Sequence, residues 1–254
     1  MIADKTNGLD TTVIVTALNE TWSLEKTIDV VIEENKPELK EIIIVISPKT
    51  TTPECKDTIQ SIISTYGDIV RVYEQIKPHL GGAITECIEN SNGKYTLIMA
   101  GDLETDPYLV KNLIANISQK NVDLVTTSRW LKGGDFKNYN KLKYCFNYIF
   151  QKIFSFLYGV SLTDMTFGYR IFRTDKVNQI DFKELKHPFF LESIIKPVRL
   201  GFKIIEIPAK WERRGEGEST ITLKDFFGYF RVGFCVLFTA KKKLIKSNFL
   251  DINK

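Results

Sequence analysis

Through the first half of the chain, short β-branched and aliphatic runs alternate with longer stretches of helical spacing. TTVIVTAL (11–18), EIIIVIS (41–47), DIVRVYE (68–74), YTLIMA (95–100) and VDLVTTS (122–128) read as strands. Between them, residues 22–34, 53–66, 82–90 and 107–119 carry apolar positions at helical spacing, and Pro53 and Pro107 suit a first helical turn. This alternation predicts an α/β class with a mostly parallel sheet flanked by helices.

The second half is less regular and more aromatic. Leu142, Cys145, Phe146, Ile149, Ile153 and Phe156 recur at helical spacing over 141–158, and Tyr144, Tyr148, Phe154 and Tyr158 make the opposite side apolar as well. Residues 201–210 read as a further strand, and 223–240 as an aromatic helix followed by the basic run KKKLIK. The apolar stretch 226–240 is about 15 residues long and contains Arg231, whereas a bilayer crossing needs roughly 20. Both aromatic helices fit either of two settings: a lipid surface with lysines toward anionic head groups, or the core of an unusually aromatic domain. With no repeat, low-complexity tract or linker, the 254 residues are read as a single domain, 1–254.

Composition narrows the classes. A hydrophobic content of 43% is ample for a buried core, and 35 basic against 31 acidic residues, net +4, are interleaved, which gives no footprint for nucleic acid. Cys55, Cys87, Cys145 and Cys235 show neither CxxC nor metal-ligand spacing, so reduced thiols in the cytoplasm are expected. MIADKTNGLD has no basic-then-apolar start, and no export signal is read there. His79 and His187 are isolated and are taken as structural or surface residues.

A Rossmann-like sheet binds its ligands beyond the carboxyl ends of its strands, which singles out ALNE, SPKTT, GDLETD and SRW. Asp102 and Glu104 stand two apart in a turn between an apolar strand and a helix, so their carboxylates can project to one side as hard ligands for Mg2+ or Mn2+. Asp106 suits the cap of the helix opening at Pro107.

Strand-Asn19-Glu20, Gly81-Gly82-Ala83, Gly93-Lys94-Tyr95, the acidic turn 102–107, Ser128-Arg129-Trp130, TDMTFGYRIFR (163–173), 201–208 and RGEGES (214–219) occur in a meaningful order. On these segments the chain resembles glycosyltransferase family 2, of GT-A fold, and within it the dolichyl- or polyprenyl-phosphate mannosyl- and glucosyltransferases. The resemblance runs from about Thr12 to Leu223. It implies a nucleotide-sugar half (12–130), an acceptor half (131–222) and an amphipathic basic C-terminal helix (223–254), in an enzyme moving a hexose with inversion onto a polyprenyl phosphate.

The resemblance also implies roles. Asp102 and Glu104 would hold the metal; Asn19, Glu20, Ser47, Lys49, Gly82 and Ser219 would contact the donor. Arg129, Asp164 and Arg214 join Asp102 as candidate catalytic residues, the two arginines as cations toward the acceptor phosphate and donor diphosphate, with Lys141 or Lys143 as a further candidate beside Arg129. By itself, an aspartate before a strand serves equally as a turn cap, so Asp164 has that alternative. With a soluble glycan acceptor, a carboxylate base becomes necessary, and Asp164 or Asp106 is the candidate. The chain departs from the family pattern at three places. Ala100 replaces the first aspartate of DxDxQ while Glu104 replaces its glutamine; Ile46 and Ser47 replace the acidic pair of VDDxS; Thr220 replaces a lysine. These departures leave the nucleotide open and admit a catalytically silent binding protein as the rival class. The expected location is peripheral, at the inner face of the cell membrane.

Overall fold

The computed structural model describes residues 10–137, 141–212, 216 and 223–250. Its elements in chain order are β1 (Thr11–Thr16), α1 (Trp22–Asn35), β2 (Leu39–Ile46), α2 (Pro53–Tyr66), β3 (Val70–Glu74), α3 (His79–Glu89), β4 (Tyr95–Ala100), α4 (Val110–Gln119) and β5 (Leu124–Ser128). Then come β6 (Asp135–Phe136), α5 (Lys141–Tyr158), β7 (Arg170–Arg173), α6 (Thr174–Val177), α7 (Phe189–Leu200), β8 (Ile204–Pro208), β9 (Lys210–Trp211), α8 (Leu223–Phe238) and α9 (Ser247–Leu250). The five strands expected in the first half all form. The helix expected from Pro107 opens with a 3-10 turn, Pro107–Leu109, before α4.

The main sheet has seven strands in the order β3-β2-β1-β4-β7-β5-β8. β3, β2, β1 and β4 run parallel, as does the β5–β8 pair, while β7 is antiparallel to both β4 and β5. β5 therefore does not lie beside β4. A strand from the second half is inserted between them, a pairing that local periodicity does not encode.

Each strand feeds two cores because successive side chains point to opposite faces. Val13 and Val15 of β1, with Ile42, Ile44 and Ile46 of β2, pack under α1, α2 and α4. Ile14, Ile43 and Val45 face the other way, toward the cluster built from α3, α5, α7 and α8. Each of these fully buried aliphatic side chains stabilises the fold by about 1.5–3 kcal/mol.

On that second face α5 buries Phe150 and Phe154, and α8 buries Val232 and Val236. The two helices meet where a Cβ added at Gly233 would lie 1.9 Å from the Phe154 ring, so only glycine permits the approach. Phe154 also stacks near Phe230 and Phe234, and the Tyr158 hydroxyl donates to the Gly233 carbonyl at 2.6 Å. Outward, α5 exposes Tyr144, Phe146, Tyr148, Ile149, Ile153 and Phe156, and α8 exposes Phe227, Phe234 and Phe238. Each helix thus has one side in the core and exposes aromatic rings on the other, where Tyr144 and Tyr148 lie against Trp130. Among the described residues no helix is long and apolar enough to cross a membrane.

Candidate active site

β1, β2, β4 and β5 end on the same edge of the sheet, and the residues after each end build the site. After β1, Glu20 is buried and its Oε2 accepts from the backbone N–H groups of Leu18 (2.6 Å) and Asn19 (3.0 Å), which leaves Asn19 exposed at the tip. The start of α1 is then covered by Glu216. Its carboxylate accepts from the N–H and hydroxyl groups of both Thr21 and Ser23 at 2.6–3.1 Å. Burial pulls the Glu216 pKa up, but these four donors outweigh it and hold it below the ordinary carboxylate range. After β2, the Thr51 hydroxyl accepts from Ser47 N–H and the Thr52 hydroxyl caps α2, so Ser47 is half-buried at the base of a turn whose tip exposes Lys49.

After β4, Asp102 is buried and its Oδ1 accepts from Glu104 N–H at 3.0 Å. Leu103 between them has φ of 60°, a left-handed conformation uncommon for such a residue, and the turn closes tightly on it. Asp106 is exposed and caps the following 3-10 turn through Tyr108 N–H, as its position before Pro107 suggests. The turn is clamped from the far end of the chain: Thr105 bridges to Trp211, and Trp211 pairs with Phe136 through the β6–β9 ribbon. The acidic turn, the segment 132–136 that includes β6, and β9 therefore form one unit at the sheet edge.

After β5, Arg129 meets Asp164. Nε and Nη2 of Arg129 donate to Oδ2 (2.7 Å) and Oδ1 (3.0 Å) of Asp164, a bidentate pair buried at 8% and 0% exposure. The guanidinium is sandwiched between the rings of Phe136 (4.9 Å) and Phe167 (4.7 Å). Gln151 of α5 donates to Asp164 Oδ1 and to the Thr166 hydroxyl, while Asn147 accepts from the Trp130 indole N–H. Glu206 of β8 accepts from the backbone of Thr163 and Asp164. Burial raises the Glu206 pKa, with the Asp164 charge adding to the effect against the lowering from those N–H groups. Sequence reasoning did not single out Glu206, Gln151 or Asn147. The available signal for Glu206 was a lone acid in the apolar run IIEIP.

Gly82 lies in the first turn of α3, where an added Cβ would be 2.8 Å from Lys77 Cβ, and its N–H faces the Leu185 carbonyl. Its smallness thus serves a close loop approach. Lys141 is exposed at the start of α5. Arg214 and Ser219, with the side chain of Lys143, lie outside the described residues.

As for a metal, Asp102 and Glu104 bring hard oxygen ligands to one short turn, a donor chemistry that fits Mg2+ or Mn2+. Among the described residues no group of three or more His, Cys, Asp or Glu side chains gathers to hold an ion. Two carboxylates would therefore need donor oxygens and water to complete coordination.

The sequence profile of glycosyl transferase family 2 matches residues 12–181, from the start of β1 to beyond β7. The chain belongs to glycosyltransferase family 2. It is 24% identical over 239 residues, 87% of its length, to glycosyltransferase AglD of Haloferax volcanii. It is 29% identical over 106 residues (41% of the chain) to undecaprenyl-phosphate mannosyltransferase of Micrococcus luteus. To polyprenol monophosphomannose synthase of Mycolicibacterium smegmatis it is 26% identical over 103 residues (39% of the chain). The matches span 36%, 44% and 39% of those proteins' own lengths. In structure, this family 2 glycosyltransferase superposes on glucosyl-3-phosphoglycerate synthase of Mycobacterium tuberculosis in complex with Mn2+, UDP and phosphoglyceric acid. The TM-score is 0.68 at 16% identity, covering 91% of this chain and 78% of that one. A second structure of that enzyme, with Mg2+ and UDP, gives a TM-score of 0.67 at 17% identity over 91% of this chain and 78% of its own. The likeness establishes the GT-A fold.

Proposed function

We infer that this glycosyltransferase moves a sugar, with inversion, from a nucleotide-sugar donor to a polyprenyl-phosphate-type acceptor, working peripherally at the inner face of the cell membrane. The observation that carries the phosphate acceptor is the commitment of Asp164. A hydroxyl acceptor needs a carboxylate able to take up its proton. Asp164, fully buried, is held by both oxygens in the Arg129 pair, and Asp106 is turned to the Tyr108 N–H as a cap. A phosphate oxygen is already ionised at neutral pH, and needs only a cation and alignment with the anomeric carbon.

In this reading Arg129, clamped by Asp164 and two aromatic rings, presents a fixed cation on the acceptor side, with Arg214 and Lys141 or Lys143 as further cations. Asn19, Glu20, Ser47, Lys49 and Gly82 would contact the donor, as would Ser219, which lies outside the described residues. Asp102 and Glu104 would hold Mg2+ or Mn2+, which when bound neutralises charge on the departing nucleoside diphosphate. The complexes of the M. tuberculosis enzyme with Mn2+ or Mg2+ and UDP support the metal, and the lipid-phosphate mannosyltransferases among the relatives support the acceptor. The exposed aromatic faces of α5 and α8, beside Lys241, Lys242 and Lys243, support contact with an anionic lipid surface.

The test is a screen of nucleotide sugars with Mn2+ against a short polyprenyl phosphate and against free sugars, reading nucleoside diphosphate release. Release that depends on the prenyl phosphate is the expected result. Release with free sugars alone points to a soluble glycan acceptor. Absence of both turnover and metal-dependent nucleotide binding marks a silent binding protein.

A further inference from the structure

Glu206 stands opposite Thr126 in the parallel β5–β8 pair, two residues before the strand end that carries Ser128 and Arg129. Its carboxylate reaches the turn bearing Asp164. Oε1 accepts from the N–H groups of Thr163 (2.9 Å) and Asp164 (3.0 Å), and Oε2 from the Thr163 N–H (2.8 Å) and hydroxyl (3.0 Å). The Thr163 hydroxyl in turn lies 2.6 Å from Ser128 Oγ, which accepts from Trp130 N–H at 3.1 Å. From the opposite side the Gln151 side chain accepts from Met165 N–H at 2.8 Å. The turn thus hangs between a carboxylate of β8 and an amide of α5, and the aspartate it presents is the one gripping Arg129.

We propose that Glu206 is a positioning residue of the transfer reaction: by holding the Thr163 and Asp164 N–H groups it fixes the Asp164 carboxylate and, through it, the Arg129 guanidinium on the acceptor side. This rests on the reading of Arg129 as the cation for the acceptor phosphate. The residue type matters. An ionised carboxylate offers acceptors on both oxygens to this set of donors, whereas the amide of a glutamine would set an N–H against a backbone N–H. A leucine at 206 would avoid the cost of burying a second acid beside Asp164, but would leave the two N–H groups without their acceptor.

The test follows the Arg129 Nε–H proton by NMR in Glu206→Gln, the signal being assigned by its loss in Arg129→Lys. In the unaltered protein this buried, bonded proton exchanges slowly with solvent. In Glu206→Gln its exchange is expected to accelerate about tenfold or more, while amide protection in β1 and β4 is kept. With a prenyl phosphate acceptor, kcat falls and acceptor KM rises, and binding of nucleoside diphosphate with Mn2+ stays within about twofold. Unchanged Arg129 exchange overturns the proposal. So does an equal loss of protection in β1 and β4, which would mark general destabilisation. If Glu206→Gln does not fold, Glu206→Asp, which keeps the carboxylate but withdraws it from the Thr163 and Asp164 N–H groups, is read by the same two outcomes. The exchange measurement needs neither donor nor acceptor. Failure of the unaltered protein to use a prenyl phosphate would therefore sink the acceptor reading while leaving the positional result standing.

Discussion

Asp102 uses one carboxylate oxygen to accept the Glu104 N–H, and Leu103 is held at positive φ so that the turn can close around that bond. Asp102→Asn keeps an oxygen for the turn and removes the charge, which makes it a cleaner probe than alanine. Turnover is expected to fall about a hundredfold or more, with weaker metal-dependent nucleotide binding by calorimetry. Glu104→Ala should behave similarly, since it keeps the backbone N–H that bonds Asp102 and removes a candidate metal ligand. Full activity in purified Asp102→Asn would remove the acidic turn from the mechanism. Arg129 and Asp164 were each legible as motif residues, but their pairing was not: 35 positions separate them, and the turn that brings them together is set by β5, β7 and β8.

Among the elements, the α5–α8 contact is the most sharply specified. Gly233→Ala places a methyl group inside the Phe154 ring, and Phe154 is fully buried with no space to yield. The expected cost is about 1–3 kcal/mol or more in urea unfolding; an unchanged midpoint would mean that the helices separate freely. At the other end of the sheet, Glu41 ties β2 to β1 and β3 by accepting from Thr12, Arg71 and Asn92 at 2.6–3.2 Å. Burial raises its pKa, but the Arg71 bond and the other donors together outweigh it and leave it lowered. Because the folded pKa lies below the unfolded one, this stabilisation is complete above the unfolded pKa and is lost as pH falls through the folded pKa. Glu41→Gln should therefore lower the thermal midpoint at pH 7, and the gap from the unaltered protein should close in acid. A gap that does not narrow as the solution is acidified below the unfolded carboxylate range would contradict the assignment.

For the whole molecule, the question is what meets the exposed aromatic side chains of α5 and α8. Reversible, salt-sensitive binding to anionic liposomes is expected, since Lys241, Lys242 and Lys243 are exposed and each contributes roughly 1 kcal/mol near such a surface. Truncation after Leu223 is a poor test, because α8 buries Val232 and Val236 and its Tyr229 hydroxyl bonds the His187 carbonyl. Replacing Phe227 and Phe238 together by serine removes the two most exposed rings of α8 and leaves Val232, Val236 and the Phe234 ring beside Phe154 in place. Sedimentation with liposomes should fall while nucleotide binding persists. Equal sedimentation would exclude α8 as the lipid contact.

Most of the parallel sheet could be read from the chain alone, because strands buried on both faces and amphipathic helices write their periodicity locally. Asp102, Glu104, Arg129 and Asp164 were also visible, as charged residues just beyond or between such runs. The tertiary structure alone decided that β7 enters antiparallel between β4 and β5, and that Glu206 braces the Asp164 turn from 42 positions away. It likewise decided that Glu216 caps α1 across 195 positions. The reason is physical. Periodicity reports which side of an element leaves water, but which carboxylate neutralises which cation depends on the close approach of distant segments, and that is set only when the sheet assembles.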